Sequence, residues 1–238
     1  RLGGRLNLVE TAGDSTNLLS ATAWVEQELA DLDVNIVMQT KVDEAYVKQF
    51  KPEAIILATG AYTENDLDVP TDGSVQILSS DSAAMGEIEG TRFELENTRC
   101  LMIDLRGNHE TGLVLESLAQ RGSKVTLAIP GPVFGRNLGI SHIDDFNRLV
   151  IPKYGVQLLP STVLTEISQG RGHLLNRISG EQIEEFFDFV VAATSPKPRD
   201  ELYQVCSRHA PTTLVGDAVA PRDAMMAVLE GDRAGRTV

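Results

Sequence analysis

Cysteines, aromatic side chains and long apolar runs are all scarce in this sequence of 238 residues. The two cysteines, Cys100 and Cys206, cannot by themselves form a disulfide framework, a four-thiolate zinc site or an iron–sulfur cluster. No run approaches the roughly 18 apolar residues that a membrane span requires, and no signal-like segment opens the chain. We therefore expect a cytoplasmic protein with no membrane partner.

Basic residues are outnumbered by acidic ones. The chain has 21 Lys and Arg against 34 Asp and Glu, a formal charge of −13 and a pI near 4.7. A surface of this sign repels phosphates, so no nucleic-acid partner is expected. Apolar residues make up 42% and charged residues 23%, an ordinary globular composition, in a chain long enough for one large or two small cores.

Several catalytic signatures are also missing. The sequence has no G-x-S-x-G elbow, Walker loop or C-x-x-C pair, which excludes the hydrolase, P-loop ATPase and disulfide-reductase classes. His142 with Asp144 and Asp145 could suggest a metal or acid–base cluster. The same spacing also fits a helix start that is capped by Ser141 and has acidic residues in its first turn, which is the interpretation we prefer.

Helices and buried strands alternate along the chain, a pattern typical of an α/β sheet. The first part predicts a helix from Ser15 to about Leu32, a strand at Val34–Met38 and a second strand at Glu53–Ala58. Residues 76–97 are rich in polar residues and glycine, and we interpret them as a linker, although the VQIL run from Val75 is a candidate strand.

A second module is expected to start at Arg99. A strand at Arg99–Leu105, a helix at Glu110–Arg121 and a strand at Lys124–Ile129 predict a βαβ unit with parallel strands and a right-handed crossover. Short runs between Val156 and Val191 alternate with Gly-rich turns and predict antiparallel hairpins. The remaining predicted elements are a helix at Ile143–Tyr154, strands at Phe186–Ala193 and Thr212–Val215, and a helix at Asp223–Arg236.

Three short motifs lie at positions where such folds bind nucleotides. The opening Leu2-Gly3-Gly4-Arg5-Leu6 has paired glycines, which predict positive φ or close backbone approach, and an arginine that could reach a phosphate. Ala58-Thr59-Gly60-Ala61 ends a buried strand, and Val215-Gly216-Asp217-Ala218 precedes the last helix. Each alone also has an ordinary structural interpretation, as a loop, a strand exit or a helix cap provided by Asp217 or Asp223.

In combination and in this order, the motifs resemble the trimethylamine dehydrogenase and 2,4-dienoyl-CoA reductase family of NADH:flavin oxidoreductase, old yellow enzyme-like proteins. The resemblance extends over nearly the whole chain and is most specific in GDAVAPRDAMMAVLEGDRAG, residues 216–235. It implies an α/β fold with two nested Rossmann-like, three-layer domains of the FAD/NAD(P)-binding type, each with a parallel sheet. The first would use residues 1–75 plus 195–238, and the second would be inserted at 98–194.

The resemblance also implies a larger oxidoreductase. Members of this family carry an FMN barrel with a 4Fe-4S segment, and their dinucleotide-binding region holds FAD or ADP. The parent protein would be an N-methylated amine demethylase or dehydrogenase, or an enoate reductase. Its expected partners are the FMN barrel of the same polypeptide and a protein electron acceptor, within a homo-oligomer. The segment alone is expected not to be catalytically competent, and no catalytic or metal-binding residue is assigned. The alternative is a non-catalytic scaffold or docking domain with vestigial nucleotide sites.

The sequence departs from the family pattern in both domains. A strand with a G-x-G-x-x-G turn precedes the GG-R-L loop in the family, whereas this sequence begins just after it. The first domain is therefore expected to lack its N-terminal strand, either because the chain is a fragment of a longer polypeptide, which we prefer, or because another chain supplies the strand. In the inserted module only Gly107 and Gly112 stand for parts of the motif, and His109 and Glu110 add bulk and charge. NAD(P)H is therefore not expected to bind.

The resemblance assigns a nucleotide site in four groups of residues. Those near the phosphates are Gly3, Gly4 and Arg5. Those that back the adenosine are Thr40, Lys41 and Val42. Those that border the dinucleotide are Thr59 and Gly60. The residue that accepts a hydrogen bond from a ribityl or ribose hydroxyl is Asp217.

Overall fold

The structure is a computed structural model that describes residues 2–12, 16–88, 91–139, 143 and 145–238. The chain forms two compact units: unit 1 contains residues 1–5, 20–62 and 196–238, and unit 2 contains residues 6–19 and 63–195. Unit 2 therefore interrupts unit 1 in the sequence. No helix in the described part of the chain is long and apolar enough to cross a membrane.

The secondary structure alternates between helices and strands. The α-helices are α1 Thr16–Asp31, α2 Glu44–Phe50, α3 Ser80–Met85, α4 His109–Gln120, α5 Ile151–Lys153, α6 Tyr203–Cys206 and α7 Ala224–Gly235. Two 3-10 helices, Gly4–Ala12 and Gly216–Ala218, and a π-helical turn, Phe146–Val150, accompany them. The strands are β1 Ile55–Leu57, β2 Ala61–Tyr62, β3 Gln76–Ser79, β4 Glu87–Ile88, β5 Thr91–Arg92, β6 Arg99–Asp104, β7 Lys124–Ala128, β8 Gln157–Leu159, β9 Thr162–Ser168, β10 Arg171–Asn176, β11 Gln182–Phe186, β12 Phe189–Ala193, β13 Lys197–Pro198 and β14 Thr212–Leu214.

Unit 2 is built on a five-stranded parallel sheet in the order β3-β12-β6-β7-β8. Every residue of β12 is buried because both faces of the sheet are covered. One face packs on α3 and α4 through residues such as Ala83 and Leu115. The other packs on the antiparallel sheet β11-β10-β9 through residues such as Ile167 and Leu174. Unit 2 thus has three layers, with the parallel sheet in the middle.

Two sequence predictions in unit 2 need correction. Residues 76–85 lie in the predicted linker but form β3 and α3, because β3 pairs with β12 and places Leu78 in the core. The candidate strand in the VQIL run from Val75 is present as β3, one residue further along the chain. Ser79 then caps α3 by accepting a hydrogen bond from the Ser82 backbone N–H at 3.2 Å. Residues 157–159 belong to the parallel sheet as β8, so the predicted hairpins begin only at β9.

Unit 1 has a much smaller core. β1 and β14 form a two-stranded parallel sheet, and its buried cluster consists of Val47, Leu57 and Cys206. Large apolar side chains of the same unit lie at the surface, including Trp24 at 63% and Phe50 at 67% exposure. A two-stranded sheet with so little buried area is marginal as an independent structure.

The strand predicted at Val34–Met38 is not formed. These residues follow α1 without ladder hydrogen bonds to any described strand, and Ile36, Val37 and Met38 are exposed. An apolar run becomes a strand only when a neighbour satisfies its backbone N–H and C=O groups. The described residues of unit 1 place no such neighbour beside this run.

Some predictions fall on residues outside the described part of the chain. Ser15, the predicted cap of α1, is one of them. Ser141, His142 and Asp144 are the others, so the two interpretations of that cluster stay as the sequence left them.

Candidate functional site

A groove in unit 1 contains four of the predicted site residues. Thr40, Lys41, Val42 and Thr59 line the same hollow, which has a volume of about 860 Å³. This is within the range of roughly 300–1,000 Å³ that is usual for small-molecule sites. The structure therefore brings together two segments of the predicted site that lie 17 residues apart in the sequence.

The groove is built from β1 and α2. Ile55 to Leu57 of β1 line it, together with Tyr46 and Phe50 of α2, whose rings stack with centroids 6.0 Å apart. Asp43 starts α2 by accepting a hydrogen bond from the Tyr46 backbone N–H at 2.8 Å. Lys51 ends the helix with a φ of 53° and turns the chain toward β1. The walls are thus largely apolar and are set by a short, well-capped helix.

The turn at Ala58–Ala61, which follows β1, is hydrogen-bonded to Arg199 in the segment where the chain re-enters unit 1. Thr59 donates its hydroxyl hydrogen to the carbonyl oxygen of Arg199. The backbone N–H of Arg199 donates in turn to the carbonyl of Gly60 at 2.9 Å. Gly60 has a φ of +73°, and a Cβ there would have no atom within 4 Å, so the backbone conformation and not crowding favours glycine.

Positive charge collects along this groove, although the chain as a whole is acidic. Lys41 and Arg199 line it together with a single carboxylate, Glu201. The Arg199 guanidinium carbon lies 4.9 Å from the centroid of the Tyr62 ring, a cation–π contact that orients the side chain. Sequence reasoning missed Arg199. The only available signal was its position just after a strand exit, which does not by itself indicate binding.

The turn around Asp217 shows which of two aspartates, Asp217 or Asp223, caps α7. The cap of α7 is Asp223, which accepts a hydrogen bond from the Met226 backbone N–H at 2.9 Å. Asp217 is therefore not the helix cap. Its Oδ1 accepts from the Arg222 backbone N–H at 3.0 Å, and its other carboxylate oxygen has no hydrogen-bond partner among the described residues. That oxygen is available to a ligand hydroxyl.

The glycine pair at the start of the chain has the predicted backbone conformation. Gly3 and Gly4 have φ values of 103° and 49°. These residues and Arg5 belong to unit 1, but they do not line the groove. Leu2 beside them lines a second, smaller hollow of about 420 Å³, and its backbone N–H donates to the Glu26 carboxylate at 3.2 Å. The residues predicted near the phosphates, Gly3, Gly4 and Arg5, thus line neither hollow, whereas the residues predicted to back the adenosine line the larger one.

In unit 2, the turn that would carry a nucleotide motif is bonded to the protein's own groups. Asp104 Oδ1 accepts from the backbone N–H groups of Arg106 at 2.9 Å and Gly107 at 2.8 Å. Arg106 Nη2 pairs with Glu110 at 2.6 Å, and the Asn137 backbone N–H donates to the Gly107 carbonyl at 2.8 Å. Burial raises the pKa of Asp104, although the two N–H donors act against that rise. Donors that would face a phosphate are therefore already engaged.

These features define a class of protein before any relative is considered. Parallel sheets with glycine-containing turns at the carboxyl ends of their strands are typical of Rossmann-like domains that bind FAD or NAD(P). The fold class expected from the sequence is therefore confirmed.

Several proteins of known structure or activity are similar to this chain. The sequence is 22% identical to N,N-dimethylglycine/sarcosine dehydrogenase of Chromohalobacter salexigens over 212 residues, which are 85% of this chain and 30% of that protein. Histamine dehydrogenase of Rhizobium sp. 4-9 superposes with a TM-score of 0.87 at 18% identity, over 100% of this chain and 39% of that one. The 2-naphthoyl-CoA reductase structure also has a TM-score of 0.87 and 18% identity, over 99% of this chain and 34% of that one. No family model matches the sequence.

The likeness confirms the resemblance at the level of the fold. Both structures belong to the trimethylamine dehydrogenase and old yellow enzyme-like group. The chain spans about a third of the length of the proteins that it matches. It therefore has the fold of one region of these larger proteins.

Proposed function

We propose that unit 1 binds the adenosine side of FAD, or ADP, as the nucleotide-binding part of a flavin-dependent oxidoreductase. The observation that carries this proposal is the groove at β1, where Thr40, Lys41, Val42 and Thr59 meet. Its walls suit an adenine ring, and its cations, Lys41 and Arg199, suit a phosphate. Asp217 does not line this groove, and its second carboxylate oxygen suits a ribose or ribityl hydroxyl of the same ligand beyond it.

The proposed site also needs a turn of backbone N–H groups for the pyrophosphate. The sequence contains no G-x-G-x-x-G motif that would supply it. We propose that a strand and glycine-rich turn from polypeptide outside this sequence add to the sheet next to β1. The apolar run at Val34–Met38, which pairs with no strand among the described residues, and the 37% exposure of Ile56 in β1 support this arrangement, because both offer apolar surface to a further strand.

For the whole protein we propose oxidation of an N-methylated or related amine. FMN in a barrel domain of the same polypeptide would carry the substrate chemistry, and a 4Fe-4S cluster would pass electrons to a protein acceptor, within a homo-oligomer. The dimethylglycine/sarcosine and histamine dehydrogenases support the amine class. Reduction of an enoyl or related thioester is the second candidate, favoured by the equal TM-score of 2-naphthoyl-CoA reductase.

Nucleotide analysis of the protein tests this proposal. The protein is expressed from the complete coding sequence that contains this chain, denatured, and its released nucleotides are identified by mass spectrometry. FAD beyond any FMN, or ADP, at about one equivalent supports nucleotide binding by this region. Release of neither contradicts it and favours the alternative of a scaffold with vestigial sites.

We also propose that unit 2 does not bind NAD(P)H. The engaged donors of the Asp104–Glu110 turn support this, since a pyrophosphate would have to displace Asp104 from two backbone N–H groups. Titration of the same protein with NADH and NADPH, followed by nicotinamide fluorescence, should show no saturable binding below about 1 mM. Saturation at micromolar concentration would show the proposal to be wrong.

A further inference from the structure

The carboxylate of Glu230 closes the loop that carries Asp217. Glu230 Oε2 accepts a hydrogen bond from the Gly216 backbone N–H at 2.8 Å, and its Oε1 accepts from Arg222 Nη2 at 2.7 Å. Gly216 immediately precedes Asp217, and the backbone N–H of Arg222 is the donor to Asp217 Oδ1. Both flanks of the Asp217 carboxylate are therefore attached to one side chain of α7.

Helix packing explains why Glu230 reaches this loop. Ala227 lies three residues before Glu230, so both face the same side of α7. A Cβ added to Gly216, whose φ is +63°, would lie 3.2 Å from the Ala227 Cβ. The glycine and the alanine allow the helix to approach the loop closely, and Glu230, one turn further on, then meets the loop with its carboxylate.

We infer that Glu230 is a positioning residue for the nucleotide site, one that acts through Asp217. This inference rests on the proposed nucleotide binding by unit 1. Both carboxylate oxygens of Glu230 are engaged by Gly216 and Arg222, so Glu230 holds the loop while Asp217 presents its remaining oxygen to the ligand.

The charge state of Glu230 suits this role. The hydrogen bond from Arg222 and, after it, the backbone N–H of Gly216 lower the pKa of Glu230, so the carboxylate is ionised at neutral pH. An ionised carboxylate accepts both hydrogen bonds, whereas a glutamine in its place would turn an N–H toward one of the two donors. Replacement by glutamine therefore breaks one link and keeps nearly the same volume.

Glu230→Gln is the test, and Asp232→Asn is the matched control. Asp232 lies on the same helix but pairs with Arg236 at 2.9 Å, away from the loop. Both are made in the protein expressed from its complete coding sequence. In the nucleotide-free protein, E230Q should raise hydrogen exchange in a peptide that covers residues 215–222 by about tenfold, since one charge-assisted hydrogen bond is lost. D232N should leave it unchanged.

The affinity for added FAD or ADP then shows whether Glu230 acts through Asp217. E230Q should weaken the affinity about tenfold when Asp217 is present, and should not weaken it further in a protein that already carries D217N. D232N should leave the affinity unchanged in both backgrounds. An equal loss in both backgrounds, or no loss at all, would overturn the inference. If the unsubstituted protein binds neither nucleotide, the proposed function itself is wrong. Exchange at residues 215–222 would still report whether Glu230 holds the loop.

Discussion

The carboxylate of Asp104 occupies backbone N–H groups of a turn that could otherwise bind a phosphate. It is 3% exposed, and its Oδ1 accepts from the backbone N–H groups of Arg106 and Gly107. In a nucleotide-binding turn, such N–H groups would face a phosphate. Here a protein side chain takes the place of the ligand, which stabilises the turn at the cost of holding a carboxylate away from water.

Asp104→Ala should lower the free energy of unfolding by about 1–3 kcal/mol, because two buried N–H groups lose their acceptor. Asp104→Asn keeps an acceptor oxygen and should cost less. Urea unfolding followed by circular dichroism measures both. Equal losses for the two variants would show that the acceptor oxygen is not what matters at this position.

The pH dependence of Asp104 has a defined sign. Burial raises its folded-state pKa above the ordinary value of 3.8, so the folded protein binds this proton more readily than the unfolded chain does. Stability of the unsubstituted protein relative to D104N should therefore rise as the pH falls through the folded pKa toward 3.8. Unfolding free energies between pH 7 and about 4 measure the difference. A relative stability that falls over this interval would contradict the assignment.

Substitutions at Gly216 and Gly60 distinguish the cost of backbone strain from the cost of side-chain crowding. Both have positive φ, but only at Gly216 would a Cβ meet a neighbour, the Ala227 Cβ at 3.2 Å. Gly60→Ala should cost about 1–2 kcal/mol of stability from the left-handed backbone alone, and Gly216→Ala should cost more. Adding Ala227→Gly to G216A should recover the contact part of the loss. If the stability did not recover, contact between α7 and the Gly216 turn would not be the cause of the extra loss.

At the scale of elements, the sequence predicted what is determined locally. The apolar run of β12 and the small-residue segment of α7 were identified within a few residues of their observed bounds, because burial and helical spacing leave a local pattern. β3 was indicated only as a candidate strand within a predicted linker, and the strand predicted at Val34–Met38 does not form. Whether an apolar run pairs depends on a distant neighbour, which β3 has in β12 and Val34–Met38 lacks among the described residues.

The site was predictable for the same reason only in part. Thr59 belongs to a motif at a strand end and lines the groove. Gly60 and Asp217 belong to such motifs too but do not line the groove, so their part in a nucleotide site stays a prediction. Arg199 and Glu230 reach their places through tertiary packing, and no spacing in the sequence indicates them.

β3 offers a test of element assignment. Leu78 is 3% exposed within the helix-facing core of unit 2, so Leu78→Ala should cost about 2–5 kcal/mol. The exposed Gln76 at the start of the same strand is the control, and Gln76→Ala should change stability by less than about 0.5 kcal/mol. Urea unfolding measures both. A negligible effect of L78A would mean that these residues behave as the linker expected from the sequence.

At the scale of the whole molecule, the two units differ in the size of their cores. The buried cluster of unit 1 contains Val47, Leu57 and Cys206, whereas unit 2 buries both faces of a five-stranded sheet. Amide hydrogens of β1 and β14 should therefore exchange through lower-energy openings than those of β6 and β12. Native-state hydrogen exchange by mass spectrometry measures this. Equal protection of the two sheets would contradict the difference in core size.

The central claim is that unit 1, and not unit 2, binds the nucleotide. Hydrogen exchange of the protein expressed from its complete coding sequence, after removal of bound nucleotide and with or without added FAD or ADP, tests it most directly. We predict protection of peptides that cover residues 40–42, 58–60 and 215–218, with residues 104–112 unchanged. Protection of residues 104–112 alone, or of none of these peptides, would contradict it.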